Sequence, residues 1–343
     1  MHITDFSSAN DFVEQNEATM DEQAKQALAE RLMPIFLPYA LSQRDRLVAR
    51  GGRFVHYTSA ENALRILESK KVWMRNTRCM IDFMEVEHGF EYLFRFFADK
   101  KNRAEFFDAT NNCAKGAAEQ AIGLFDKWLP TIRANTYITC ISEHDDGEDL
   151  HGRLSMWRAH GRNRIGVAVV LNSAPFMLKS DVLKAYASPV SYLTEEQFHT
   201  GLRAIIENIR KHDEFLKTVP RDSIVGAICN MLLFAATSSK HPGFHEEREW
   251  RVIHVAKYMP SNALEEKVEV VDGVPQIVLK IPLQDVPEKG LVGIEIPKLV
   301  SRVIIGPSSF PIPIYDAFVS SLRKIGMSDP ESKIVISGIP LRT

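Results

Sequence analysis

The chain has 343 residues, 45% of them apolar and 25% charged, the proportions of an ordinary globular protein with room for one large domain or two smaller ones. Its formal net charge of −2 gives no general pull toward nucleic acid or membrane, so only a local basic patch could serve such a partner. No apolar run approaches a membrane span, the start is polar and acidic rather than a signal peptide, and Cys79, Cys113, Cys140 and Cys229 form no C-x-x-C. The expectation is a reducing cytoplasm, with no zinc ribbon and no redox pair.

Residues 1 to about 20 read as a polar arm. Asp21 to Arg50 has helical spacing (Leu28, Leu32, Ile35, Phe36, Leu41), interrupted at Pro34 and Pro38 and closed by Gly51-Gly52. Arg53-Phe54-Val55-His56-Tyr57 predicts a strand, and Thr58 or Ser59 the N-cap of a helix from Ala60 to Ser69. A second strand follows at Val72-Trp73-Met74. A loop with Asp82 then leads into helix extending to about Trp128.

Tyr137 to Ser142 predicts a strand, and Glu143 to Asp149 an acidic loop expected to be mobile. Leu154 to His160 reads as a short helix, and Ile165 to Leu171 as a strand buried on both faces. A further strand is expected near Val190 to Leu193, then two helices over 195–238 parted by Pro220. Lys267–Val271 and Gln276–Ile281 predict a hairpin across Asp272-Gly273. Val303 to Ile305 is a strand ending at Gly306-Pro307, followed by a helix over about 314–325 and a last strand at Lys333–Ser337. Strands come early and late with helices between them, an α+β plan.

Three stretches carry candidate chemistry. His56-Tyr57-Thr58-Ser59 lies at a strand-to-helix junction, where free N–H groups and the helix dipole favour anions. Met156-Trp157-Arg158-Ala159-His160 offers an indole face and two donors. Glu247-Arg248-Glu249-Trp250-Arg251 opens an apolar run. In an extended chain Glu247, Glu249 and Arg251 share one side while Trp250 and Val252 face a core. Each has a plainer reading: a capping hydroxyl with a packed histidine, a core tryptophan, and a solvated charged edge. His241 and His245 are spaced by Pro242-Gly243, which argues for a turn rather than a zinc site.

Together these pieces resemble a large bacterial family catalogued as a domain of unknown function, with Y-T-S, M-W, E-x-E-W-R and I-I-G-P segments. Here they are Tyr57 to Ser59, Met156-Trp157, Glu247 to Arg251 and Ile304 to Pro307, and the likeness runs from Phe54 to Ile339. The H-Y-T-S stretch with its N-A-L-x-x-I-L helix, and the E-x-E at a strand start, also resemble the ADP-ribosyltransferase superfamily. That resemblance implies a split β-sandwich of two small sheets with flanking helices, gripping NAD as a consumed substrate. It implies that His56 holds a ribose, that backbone near Thr58 meets the nicotinamide amide, with Tyr57 among the cofactor-binding residues, and that Glu249 or Glu247 is the catalytic carboxylate. Trp157 would stack on the ligand, and Arg251 would orient Glu249 or bind phosphate.

The expected organisation is an N-terminal helical arm over 1–50 and an ADP-ribosyltransferase-like domain over 51–343 with helical insertions at about 84–130 and 195–240. The expected activity is NAD-dependent transfer to a protein or nucleic acid, as in a toxin or anti-phage effector, possible partners including an antitoxin or regulatory protein, without metal or membrane. Two alternatives stand beside it. One is a metal-dependent nuclease on Asp82, Glu85, Glu247 and Glu249. The other is a non-catalytic nucleotide-binding or sensor module.

Overall fold

Proline placement shapes the first helices. The helix from Glu22 runs through Pro34 to Phe36, and the next begins on Pro38, where a missing N–H costs nothing. The computed structural model describes residues 22–80, 86–160, 165–178 and 180–340. In chain order its elements are α1 (Glu22–Phe36), α2 (Pro38–Ala49), β1 (Arg53–Ser59), α3 (Ala60–Ser69), β2 (Lys71–Asn76), α4 (Glu87–Ala98), α5 (Lys100–Cys113), α6 (Ala117–Asn135) and β3 (Thr136–His144). There follow α7 (Leu154–His160), β4 (Gly166–Leu171), β5 (Tyr186–Pro189), α8 (Glu195–Lys211), α9 (Arg221–Thr237), β6 (Glu249–Val255), β7 (Glu265–Val271), β8 (Val274–Pro282), β9 (Val300–Ile305), α10 (Pro311–Lys324) and β10 (Ile334–Ile336), joined by loops and shorter helical turns. The fold is α+β. The polar arm read at residues 1 to about 20 lies outside the described residues.

Two compact units divide the chain. The first is helical and takes the described parts of Met1–Gln43, Ile81–Asn135 and Ser191–Pro242. The two stretches foreseen as insertions thus group with α1 as one body. Asp99 caps α5 and a Thr194/Gln197 capping box opens α8. Helices α4 and α9 approach so closely that a Cβ on Gly89 would stand 2.2 Å from the Ala236 carbonyl oxygen. An apolar cleft of about 260 Å³ lies among α4, α5, α6 and α9, lined by Phe90, Phe94, Phe97 and Phe125.

The second unit holds Arg44–Met80, Thr136–Val190 and Gly243–Thr343. Its strands form one ten-stranded sheet in the order β10-β9-β4-β1-β3-β2-β8-β7, with β6 on β3 and β5 on β6. The two small sheets implied by resemblance are therefore replaced by a single sheet that forks at β3. β1 meets β3 at Val55↔Ser142 and beyond, and β2 meets it at Arg75↔Ile138 and Asn76↔Tyr137, while β6 pairs with β3 from Thr136↔Val255 to Ser142↔Glu249. Since a strand has two edges, β1 and β2 share one edge of β3, parted around Thr139–Ile141, and β6 takes the other.

Alternation then sorts side chains between two faces. Phe54, Ile141, Trp250, Val167 and Val303 pack on one face with Leu67 of α3 and Phe318 of α10. Val55, Tyr57, Ala168, Val170 and Ile304 pack on the other with Met156 and Trp157 of α7. β4 is buried along its whole length, as its unbroken apolar run predicts. The hairpin turn is Asp272-Gly273, with φ of +52° and +80°, a type I′ pair. β5 falls four residues earlier than the strand expected near Val190; Ser191 makes only an isolated bridge to Ser239.

Candidate functional site

The predicted strand of the E-x-E-W-R stretch is β6, buried at every position. Glu249 and Arg251 share a face, as alternation requires, and the Arg251 Nε–H donates to Glu249 Oε1 at 3.0 Å. Their side chains are 4% and 0% exposed. Trp250, on the other face, donates its indole N–H to Glu143 Oε1 at 3.0 Å and meets the Phe54 ring edge-on.

Glu247 does not continue this row. It ends a 3₁₀ turn over Pro242–Glu247, and Arg248 adopts φ +47°, a left-handed conformation that turns the chain before the strand begins. The alternation that grouped Glu247 with Glu249 therefore stops one residue short. Arg248 sends its guanidinium to Asp145 at 2.8 Å, with Glu148 and Glu143 at 3.6 Å.

The 143–149 loop, expected to be mobile, is instead tied down. Arg50 pairs with Glu143 and Asp145. Arg53 reaches Asp146 at 2.7 Å and Asp149 at 2.8 Å. Arg153 makes the widest set of bonds: Nε to Glu148 Oε1 at 3.0 Å, Nη2 to the Glu143 carbonyl at 2.8 Å, and Nη1 to the carbonyls of Glu246 and Glu247 at 2.9 and 3.2 Å. One planar fork thus joins the end of β3 to the turn that enters β6. His144, buried within this loop, shares Asp149 Oδ1 at 2.9 Å through Nε2. Desolvation holds the His144 pKa below its usual value, against the raising effect of Asp149. Burial alone would raise the Asp149 carboxyl, but hydrogen bonds from Arg53 and His144 outweigh it and the net shift is downward.

His56 sits where the sheet forks. Its Nδ1–H donates to the Cys140 carbonyl at 2.9 Å, in the gap between the β1 and β2 pairings, leaving Nε2 as an acceptor when the ring is neutral. Burial lowers its pKa, and the Cys140 bond offsets this only in part. The ring is half-buried, as is Thr58. His56 pairs with Val169 and so belongs to the Phe54 face. Glu249 pairs with Ser142, which pairs with Val55, and so belongs to the opposite face. The two expected site residues are brought into one strip of three adjacent strands, but alternation points them to opposite sides of it.

Tyr57 and Trp157 are not open to a ligand. The Tyr57 hydroxyl accepts the Arg153 backbone N–H at 2.8 Å, and burial pushes its pKa up to about 12. Trp157 is 3% exposed, stands edge-on to Tyr57, and donates its indole N–H to the His151 carbonyl at 2.7 Å. A Cβ on Gly152 would be 2.6 Å from the indole, and one on Gly306 would be 2.9 Å from it. The M-W and I-I-G-P pieces thus meet as a tryptophan in a slot that only glycines leave open, which replaces its expected stacking role. Ser59, not Thr58, caps α3, accepting the Asn62 N–H at 3.2 Å. Arg158 is exposed; the His160 side chain, Asp82 and Glu85 lie outside the described residues. Among the described residues no group of three or more His, Cys, Asp or Glu side chains could hold a metal ion, and no helix is long and apolar enough to cross a membrane.

Residues 156–252 match the model of a family described as Protein of unknown function (DUF2971). The DUF2971 segment starts at Met156-Trp157 and ends within β6, so it includes the E-x-E-W-R stretch. It is narrower than the Phe54–Ile339 span read from sequence and reaches neither the H-Y-T-S nor the I-I-G-P piece. No curated protein and no solved structure matches the chain.

Proposed function

We propose that the sheet-bearing unit is an NAD-consuming ADP-ribosyltransferase acting on a protein or nucleic-acid acceptor. The observation that supports this reading is the strip that joins His56, Cys140, Glu249 and Arg251 at the fork of the sheet. His56 supplies a neutral ring with its Nδ1–H already committed, so Nε2 can accept a hydrogen bond from a ribose hydroxyl. Cleavage of the nicotinamide–ribose bond develops positive charge on the sugar, and a fixed carboxylate such as Glu249 stabilises it. Arg251 holds that carboxylate in one orientation. Glu247, half-exposed on the turn before β6, would in this reading position the acceptor or take its proton.

The residues fit NAD only in part. His56 and Thr58 are half-buried, whereas Tyr57 and Trp157 are consumed by the core. Glu249 lies on the other face from His56, so the reading requires substrate to enter at the fork beside Cys140, where among the described residues no strand pairs with β3 on that edge. The test is nicotinamide release from NAD, with candidate acceptors, in the presence and absence of a chelator. Release that survives the chelator and falls by orders of magnitude in Glu249→Gln, assayed at a temperature where circular dichroism shows that variant still folded, supports it. Activity that requires a divalent cation and turns over no NAD supports the nuclease instead. Nucleotide binding without nicotinamide release supports a sensor module.

A further inference from the structure

The β7–β8 hairpin presents a surface that the site does not use. Val268, Val270 and Ile277 are 66%, 63% and 42% exposed. The register sets Val268 opposite Ile277 and Val270 opposite Pro275, so all four share one face. Lys267, Glu269 and Lys280 occupy the other face, with Lys280 Nζ 2.6 Å from Glu269. β7 is also an edge strand of seven residues. Among the described residues it pairs only with β8, and neither proline nor bulge interrupts it. Long straight edges of this kind are templates for a further strand.

The turn determines which backbone groups are spare. Val271 and Val274 flank a two-residue type I′ turn and form a hydrogen-bonded pair. Alternation from there directs the N–H and C=O of Glu266, Val268 and Val270 away from β8. We infer that these groups pair with β7 of a second copy of the chain, in an antiparallel ladder whose two-fold axis passes through Val268.

The charges select the partner and the register. A two-fold axis perpendicular to the sheet must pass through a residue, so that opposed side chains keep the same face. Centred on Lys267, the ladder opposes two lysines and sets Glu265 against Glu269. Centred on Glu269, it opposes two glutamates. Centred on Val268, the strand midpoint, it sets Lys267 of each copy opposite Glu269 of the other, with Val268 beside its own counterpart, and all seven residues pair. Unlike charges directly opposite stabilise a sheet and like charges destabilise it. One strand carries both halves of the match, which makes a second copy the fitting occupant. The two apolar hairpin faces then merge into one four-stranded surface.

The test uses the full chain. Sedimentation across a concentration series should show reversible dimerisation, and Lys267→Glu should weaken it several-fold by placing glutamates opposite each other. Val268→Cys should cross-link under mild oxidation, because a self-opposed hydrogen-bonded pair has Cα atoms about 5.5 Å apart. Val270→Cys should not, since its counterpart lies four residues further along the ladder, roughly 14 Å away. The wild-type chain with its four native cysteines is the control. A chain monomeric at every concentration overturns the inference, and so does a dimer in which Val270→Cys cross-links as readily as Val268→Cys.

Discussion

Replacing Arg251 by methionine removes a guanidinium with 0% side-chain exposure from a carboxylate with 4% exposure. At 3.0 Å and an effective dielectric of about 20, the Coulomb attraction is about 5–6 kcal/mol. Desolvation of the two ions opposes it by a similar amount, so the pair taken whole contributes little. Removing one partner is different. Arg251→Met takes a guanidinium partner from the buried Glu249 carboxylate and should cost about 3–5 kcal/mol, whereas the double variant Glu249→Leu/Arg251→Met should recover most of that loss. Urea unfolding followed by far-UV circular dichroism and by tryptophan fluorescence, to which Trp250 next to the pair contributes, gives the cycle. A cost below about 1 kcal/mol for Arg251→Met would place the pair in the range of exposed ion pairs and refute the burial on which its orienting role depends. Full recovery of stability in the double variant, together with loss of any nicotinamide release, would separate the functional part of the pair from its structural part.

Gly306→Ala should lower the melting temperature, since its Cβ would stand 2.8 Å from the Gly166 carbonyl oxygen and 2.9 Å from the Trp157 ring; overpacking of this kind costs about 1–3 kcal/mol, and Trp157→Phe in the same chain should relieve part of it. Stability should fall on acidification below about pH 6.5. His56, His144 and His254 are each held below their ordinary pKa, chiefly by burial, so the unfolded chain binds more protons there and the stability present at neutral pH is lost as the histidines are forced to charge. A urea midpoint that rises between pH 7.5 and pH 5.5 would contradict this. Arg153→Met should increase hydrogen exchange in both the 143–149 loop and the 242–248 turn, because one side chain bonds the carbonyls of Glu143, Glu246 and Glu247; protection lost at only one of them would show that the fork does not join them.

Local chemistry made most elements legible. The Asp272-Gly273 hairpin, the Ser59 cap and the buried run of β4 follow from turn residues, hydroxyl spacing and apolar continuity. What the sequence concealed was anything depending on which distant residues meet. Arg50, Arg53, Arg153 and Arg248 are scattered along the chain, and nothing in their local context tells that they converge on 143–149. A run of acids whose cations, Arg153 apart, lie far away in sequence reads as solvated loop for that reason. The alternation argument placed Glu249 with Arg251 correctly and failed at Glu247, because a left-handed arginine is invisible to a period-two pattern. Trp157 was ambiguous between platform and core, and the glycines that enclose it, Gly152 and Gly306, become informative only when strands β4 and β9 are adjacent. His56 and Glu249 were expected to face each other; their strands are neighbours through β3, but parity sends them apart.

Because β3 is held by three other strands, a slip of one residue along it would mismatch every one of those ladders at once. Sliding that at an edge strand needs one pairing to break would here need three to break together. Amides of Ile138, Thr139, Ile141 and Ser142, which face a partner strand, should accordingly be among the last in the chain to exchange with solvent, and insertions or deletions in this strand among the least tolerated.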